Sequence, residues 1–287
     1  MTAVCHRYVT VERRRLFYQE AGIASDPALL LLHGFPSSSF IFRNLIPELA
    51  DRYHVIAPDL LGCGLSDSPP VEEFHYTFDA LARLTAGLLE HLSVKEYVLY
   101  VQGFGAPVGW RLALANPESV QAIISQGGNG YEAGFEQAFW KAVRRYWDDQ
   151  NPQTEAAVRQ NLTLDGIRWQ YLHGVSNPTV VSPETWHHDY SLVSRNGSDR
   201  VHLQLLVDYA SDLSLYPELH AYLRESEVPV LAVWGRNDKI FGPAGARAFL
   251  DDSPHAEIRL IDGGHCLLET HLELTVHYIR SFLDRVL

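Results

Sequence analysis

Three runs constrain this chain more than any other feature: Ala28-Leu-Leu-Leu-Leu32, Tyr97-Val-Leu-Tyr-Val101 and Pro229-Val-Leu-Ala-Val-Trp234. Each is short and continuously apolar, and each runs straight into a loop containing glycine. A strand that is apolar on both sides must be covered on both faces, which a half-solvated antiparallel sheet does not provide. Further strands are expected at His54–Ala57, Val120–Ser125 and Glu257–Ile261, with two short strands or a hairpin over Val9–Tyr18. Helical segments lie between them: Phe40–Ala50, Thr77–Leu92 with Phe78, Leu81, Leu84, Leu88 and Leu92 in phase, Gly105–Ala115, Pro243–Leu250 and Leu272–Val286. Strands alternating with helices predict an α/β fold with a mostly parallel sheet flanked by helices.

The alternation is interrupted once, from about Tyr131 to Ser226. This stretch is helical in pattern and rich in aromatics, among them Trp140, Tyr146, Trp147, Trp169, Tyr171, Trp186, Tyr190, Tyr209 and Tyr216. Most of these rings are expected to pack between the insertion and the core, because aromatics dominate such burial. The expected organisation is a core of residues 1–130 and 227–287, with a helical cap of residues 131–226 inserted after the sixth strand.

Composition narrows the function classes. A net charge of −12 argues against nucleic acid or an anionic membrane as partner. Three cysteines, Cys5, Cys63 and Cys266, are far apart and odd in number, which suits reduced thiols in a cytoplasmic protein rather than a disulfide framework. The N-terminal residues lack the pattern of a signal peptide. No apolar run approaches the roughly 20 residues that span a bilayer. Oligomeric state is left open, a homodimer included.

Three loops carry the chemistry. His33-Gly34-Phe35-Pro36 follows one strand, Trp234-Gly-Arg-Asn-Asp238 another, and Gly263-Gly264-His265 the last. Together with the strand–turn–helix Val101-Gln-Gly-Phe-Gly-Ala-Pro107, their order along the chain resembles that of the α/β-hydrolase fold. More narrowly, Val101–Gly109, Gly130-Tyr131-Glu132 and Arg168-Trp-Gln-Tyr171 resemble the haloalkane dehalogenase and epoxide hydrolase branch. The resemblance covers nearly the whole length. It implies a nucleophilic aspartate at the tip of the turn, and Gly103 stands there instead. Removing such a nucleophile costs about six orders of magnitude in turnover, so the branch's own reaction is not carried over. Glycine also relieves a strained turn, at on the order of 1 kcal/mol for any other residue.

The resemblance further implies that Asp238 orients His265 as a general base and that the backbone N–H groups of Phe35 and Phe104 bind a developing oxyanion. Phe104 offers no indole N–H to a halide, and Phe35 stands where an asparagine would also help hold one. The pocket is expected to draw on His33, Gln102, Trp140, Tyr171, Trp186 and Tyr209. Tyr171 and Tyr209 are candidate acids. Cys63 has no basic neighbour in sequence to lower its pKa, so it is a poor substitute nucleophile. His187-His188 and Arg195 are expected to be solvated. No metal site and no cofactor is expected.

Three readings follow. In the first, the chain is an enzyme without a covalent step, acting on a small hydrophobic, aromatic or polyketide-like molecule. His265 and Asp238 would then drive cyclisation, isomerisation, carbon–carbon cleavage or direct attack of water. In the second it is an epoxide hydrolase or haloalkane dehalogenase inactivated at Gly103. In the third it is a small-molecule binding protein, although a binder has no need of the joined pair Asp238 and His265.

Overall fold

A computed structural model describes residues 3–287. The chain opens with an antiparallel hairpin of β1 (Cys5–Val11) and β2 (Arg14–Ala21). Glu12 and Arg13 both take positive φ at its tip, the backbone of a tight two-residue turn. There follow β3 (Ala28–Leu32), α1 (Leu45–Leu49), β4 (His54–Pro58), α2 (Phe78–His91), β5 (Tyr97–Gln102), α3 (Gly105–Ala115) and β6 (Val120–Gln126). Six helices come next: α4 (Gln137–Asp148), α5 (Pro152–Arg159), α6 (Leu164–Leu172), α7 (Glu184–Val193), α8 (Ser198–Asp208) and α9 (Ala210–Ser226). The chain then returns through β7 (Val230–Gly235), α10 (Pro243–Asp252), β8 (Glu257–Ile261), α11 (Leu267–Thr270) and α12 (Leu272–Val286).

All eight strands form one sheet in the order β1-β2-β4-β3-β5-β6-β7-β8. From β4 to β8 every pairing is parallel, with Leu30 opposite both Ile56 and Leu99, Leu99 opposite Ile123, and Ile123 opposite Val230. The apolar runs occupy the centre: every residue of β3, β5 and β7 is buried. Parallel register brings the carboxyl ends of β3, β5, β6, β7 and β8 to one edge, and the loops leaving those ends build the site.

Two local outcomes differ from expectation. The helix expected over Phe40–Ala50 is split into a 3₁₀ turn, Ser39–Phe42, and the short α1. Pro47 has no N–H to give the carbonyl of Arg43, so a continuous helix loses a bond at the join. Ser38 caps the first piece, its hydroxyl accepting from Phe40 N–H at 3.3 Å. The short α11, directly after His265, was not expected at all.

Candidate active site

The site is built from five strand ends. β5 runs into Gly103, whose φ of +48° lets the chain reverse into α3. Such a backbone is open to glycine and strained for other residues. Gly34, after β3, packs on this turn so closely that a β-carbon on it would lie 3.1 Å from the Gln102 carbonyl oxygen. The Gln102 side chain also turns to this loop, its Oε1 3.4 Å from Gly34 N–H.

His33 holds the loop from beneath. Its Nε2 accepts from Leu60 N–H at 3.0 Å, and its Nδ1 is 2.9 Å from the Gly34 carbonyl, so both ring nitrogens are committed to backbone. Burial pushes its pKa down, opposed by Asp59. His33 is therefore a neutral brace for the Gly34–Phe35 loop, with no ring nitrogen left for a pocket. Asp59 ties in the neighbouring loops, accepting from Ser39 N–H at 2.7 Å and Leu65 N–H at 2.6 Å.

At the other side, the loop after β7 supplies Asp238 and the loop after β8 supplies His265. Nδ1 of His265 lies 2.7 Å from Oδ2 of Asp238. The other carboxylate oxygen accepts from Ile240 N–H at 2.8 Å and Phe241 N–H at 3.1 Å. Asp238 is 1% exposed and His265 6%. An aspartate so held is an acceptor, which places the proton on Nδ1 and leaves a lone pair on Nε2. Gln126 steadies the loop, its Nε2 donating to the His265 carbonyl at 3.3 Å.

Gly103 and His265 face each other. A β-carbon built on Gly103 would stand 3.6 Å from Nε2 of His265, 3.8 Å from the Phe35 nitrogen and 3.2 Å from Gly34 Cα. Among the described residues neither Phe35 N–H nor Phe104 N–H has a protein acceptor, and Nε2 of His265 has no partner. A second glycine closes the far side: Gly127, φ +58°, would place a β-carbon 3.1 Å from Cε1 and 3.2 Å from Nδ1 of the same ring. The imidazole thus sits between two glycines.

Aromatic rings wall the site. Phe35 packs on Phe104 with centroids 5.1 Å apart, and Phe104 on Tyr209 at 5.3 Å and Phe78 at 5.5 Å. Trp140 stands on Tyr209 at 4.7 Å and on Phe241 at 5.3 Å, and Phe241 is 6.1 Å from the His265 ring. The Trp140 indole donates to the Ile240 carbonyl at 2.9 Å, tying α4 to the loop that holds Asp238.

Of the two tyrosines considered as acids, Tyr171 is engaged elsewhere and the Tyr209 hydroxyl is buried without a hydrogen-bond partner among the described residues. The Tyr171 hydroxyl donates to Asp189 Oδ2 at 2.5 Å. The Tyr209 hydroxyl is buried beside the Tyr216 hydroxyl and the Asp212 carboxyl, and burial drives its pKa up. Trp186 packs with Tyr171 at 6.4 Å, between α6 and α7. Cys63 is buried, which pushes its thiol up to about 12, so it is a protonated thiol at neutral pH. Arg195 is exposed, as expected, while one of its guanidinium nitrogens donates to the Gly64 carbonyl at 2.8 Å; His188, by contrast, is half-buried and stacks on Phe40 at 3.9 Å. His187 is exposed, as expected.

Two buried polar residues near the site escaped the sequence reading. Asp189 is fully buried on α7, and desolvation lifts its carboxyl to about 7. It was detectable as an acid in the buried helical stripe Thr185, Trp186, Asp189 and Val193. His202 on α8 lies edge-on to Phe35 at 5.3 Å, with Nδ1 2.7 Å from the Ser198 carbonyl and its pKa lowered to about 4 by burial. Nothing in its sequence neighbourhood marks it.

The profile of the alpha/beta hydrolase fold family matches residues 27–272. The chain belongs to that family. It is 39% identical over 272 residues to the uncharacterized hydrolase YNR064C of Saccharomyces cerevisiae, covering 93% of this chain and 92% of that protein. It is 28% identical over 243 residues to haloalkane dehalogenase 2 of Mycobacterium tuberculosis, covering 83% and 79% respectively. The crystal structure of wild-type Cfl2 from Burkholderia cenocepacia superposes with a TM-score of 0.81 at 26% identity, over 96% of this chain and 95% of that one.

Proposed function

We propose that this member of the hydrolase family adds water directly to a carbonyl compound, with His265 as general base and no covalent enzyme intermediate. The observation that carries the reading is that Nε2 of His265 faces Gly103 across a space into which the turn sends no side chain. That space lies beside a base and beside two free backbone donors, and no side chain fills it. A water in contact with Gly103 and hydrogen-bonded to Nε2 gives its proton to Nε2 while its oxygen attacks the carbonyl carbon. Asp238 stabilises the imidazolium that forms, and the N–H groups of Phe35 and Phe104 receive the oxyanion.

The electrophile follows from what the site offers. Phe104 has no N–H for a departing halide. A cyclic ether needs an acid for its leaving oxygen; the Tyr171 hydroxyl is committed to Asp189, and burial raises the pKa of the Tyr209 hydroxyl and makes it a weak acid. A carbonyl needs only the backbone donors. The wall of Phe35, Phe104, Tyr209 and Trp140 favours an apolar substrate, with α4–α9 acting as a lid over the strand ends.

His265→Gln should lower turnover by about 10²–10⁴-fold, the usual worth of a general base. Pre-steady-state traces should show no burst of the leaving-group product, and intact-protein mass spectra no acyl adduct. Full activity in His265→Gln overturns the reading, as does a burst with a trapped adduct.

A further inference from the structure

A second buried imidazole stands beside the Phe35 loop, and the water-attack chemistry does not use it. His202 on α8 is 2% exposed, and its ring meets Phe35 edge-on at 5.3 Å. Its Nδ1 lies 2.7 Å from the Ser198 carbonyl, an oxygen that can only accept, so the ring proton is on Nδ1. Burial lowers its pKa to about 4, helped by His33 and Arg195 and opposed by the Ser198 bond and Asp199. The ring is therefore neutral at pH 7, with a lone pair on Nε2. The two nitrogens of an imidazole point in nearly opposite directions. Nδ1 is turned back onto its own helix, so Nε2 points away from Ser198, and among the described residues it has no hydrogen-bond partner. Its neighbours do not supply one. Both ring nitrogens of His33 are bonded to backbone, and Phe35 leads only to the rings of Phe104, Phe78 and Tyr209. A wholly apolar ligand laid over Phe35 would strand this acceptor, and a buried polar group left unpaired is costly.

We infer that His202 is a specificity-determining residue whose Nε2 accepts a hydrogen bond from a hydroxyl on the apolar body of the substrate, away from the reacting carbonyl. The substrate class is then a hydroxylated apolar carbonyl compound, phenolic or alcoholic. Phe35 joins the two ends of the recognition. Its backbone N–H has no protein acceptor and is offered to the oxyanion, while its ring lies against His202. His202 makes and breaks no bond; it fixes which molecule is held and how it is turned. The carbonyl half of this inference rests on the water-attack reading above, the hydroxyl half on His202 alone.

The test pairs molecules that differ by one hydroxyl. Methyl 3-phenylpropanoates with a hydroxyl at each ring position are assayed against those with a methyl there, using the native protein, His202→Phe, His202→Gln and His265→Gln. At one position or more the hydroxyl should beat the methyl by at least about tenfold in kcat/KM, because a site built to receive a hydroxyl rejects the analogue that lacks it. The gain should lie in KM, as for binding that is equal in ground and transition states. His202→Phe should erase the preference, and His202→Gln, which still presents an acceptor, should keep part of it. A second readout needs no turnover. Quenching of tryptophan fluorescence should show 2-naphthol binding the native protein about tenfold tighter than 2-methylnaphthalene, and His202→Phe binding them alike. If His202→Phe does not fold, the native pairs and His202→Gln decide alone. Absence of a hydroxyl preference at every position, or its survival in His202→Phe, overturns the assignment and spares the water-attack reading. Equal losses of kcat in both members of a pair would mark a structural role and overturn it too. Absence of any His265-dependent turnover overturns the water-attack reading, and the naphthol pair then judges His202 by itself.

Discussion

A single β-carbon is the unit on which the neighbourhood of His265 turns. Gly103→Ala should destabilise the protein by about 1–2 kcal/mol in thermal melts, because alanine must adopt a left-handed backbone. At Gly127 the same change drives a methyl to 3.1 Å from the imidazole. Gly127→Ala should therefore cost activity beyond its stability loss, through a displaced Asp238–His265 bond. Asp189 gives a pH signature instead. Its carboxyl titrates near 7 when folded against a usual 3.8, so the folded state holds a proton there that the unfolded chain has already lost. The stabilising contribution is full below pH 4 and disappears as pH rises through 7. Asp189→Asn should thus gain stability relative to the native chain between pH 5 and pH 8, by a few kcal/mol at about 1.4 kcal/mol per unit. A pH-independent difference between the two proteins contradicts the shift.

Elements carry the second layer, where regular patterns were legible and local chemistry was not. The ends of α3, β8 and α12 match the sequence pattern residue for residue. The broken helix at Pro47 was legible in principle, because proline's missing N–H is written in the sequence. The role of Trp140 was not: its indole reaches Ile240, a hundred residues away, and only packing brings them together. Trp140→Phe keeps the ring stack and removes that bond, so it should cost about 1 kcal/mol. It should also slow turnover, because Ile240 N–H holds Asp238. Thr77 caps α2, its hydroxyl accepting from Ala80 N–H at 3.1 Å, and Thr77→Ala should cost about 1 kcal/mol in denaturant titration.

At the scale of the molecule, the six helices between β6 and β7 meet the core through packed aromatic rings and through polar ties. Phe78 N–H donates to Asp208 at 2.6 Å, Tyr76 N–H to Gln204 at 3.0 Å, and Arg111 to Asp212 at 2.5 Å. The buried centre of the sheet has no such dependence. Hydrogen exchange should be slowest in β3, β5 and β6 and markedly faster in α5–α7, where side chains alternate between buried and exposed. That the loops carrying Gly34, Gly103, Asp238 and His265 share one edge was legible from chain order alone, because each must leave a strand end there. The wall opposite them was not, since it is assembled from α4, α8 and α9, whose docking no local pattern encodes. The bare turn at Gly103 has a practical corollary for anyone surveying proteomes. Fluorophosphonate and similar reagents find hydrolases by becoming bonded to a reactive side chain at that turn. A protein that works with glycine there will pass through such a survey unlabelled, and be counted among the inactive.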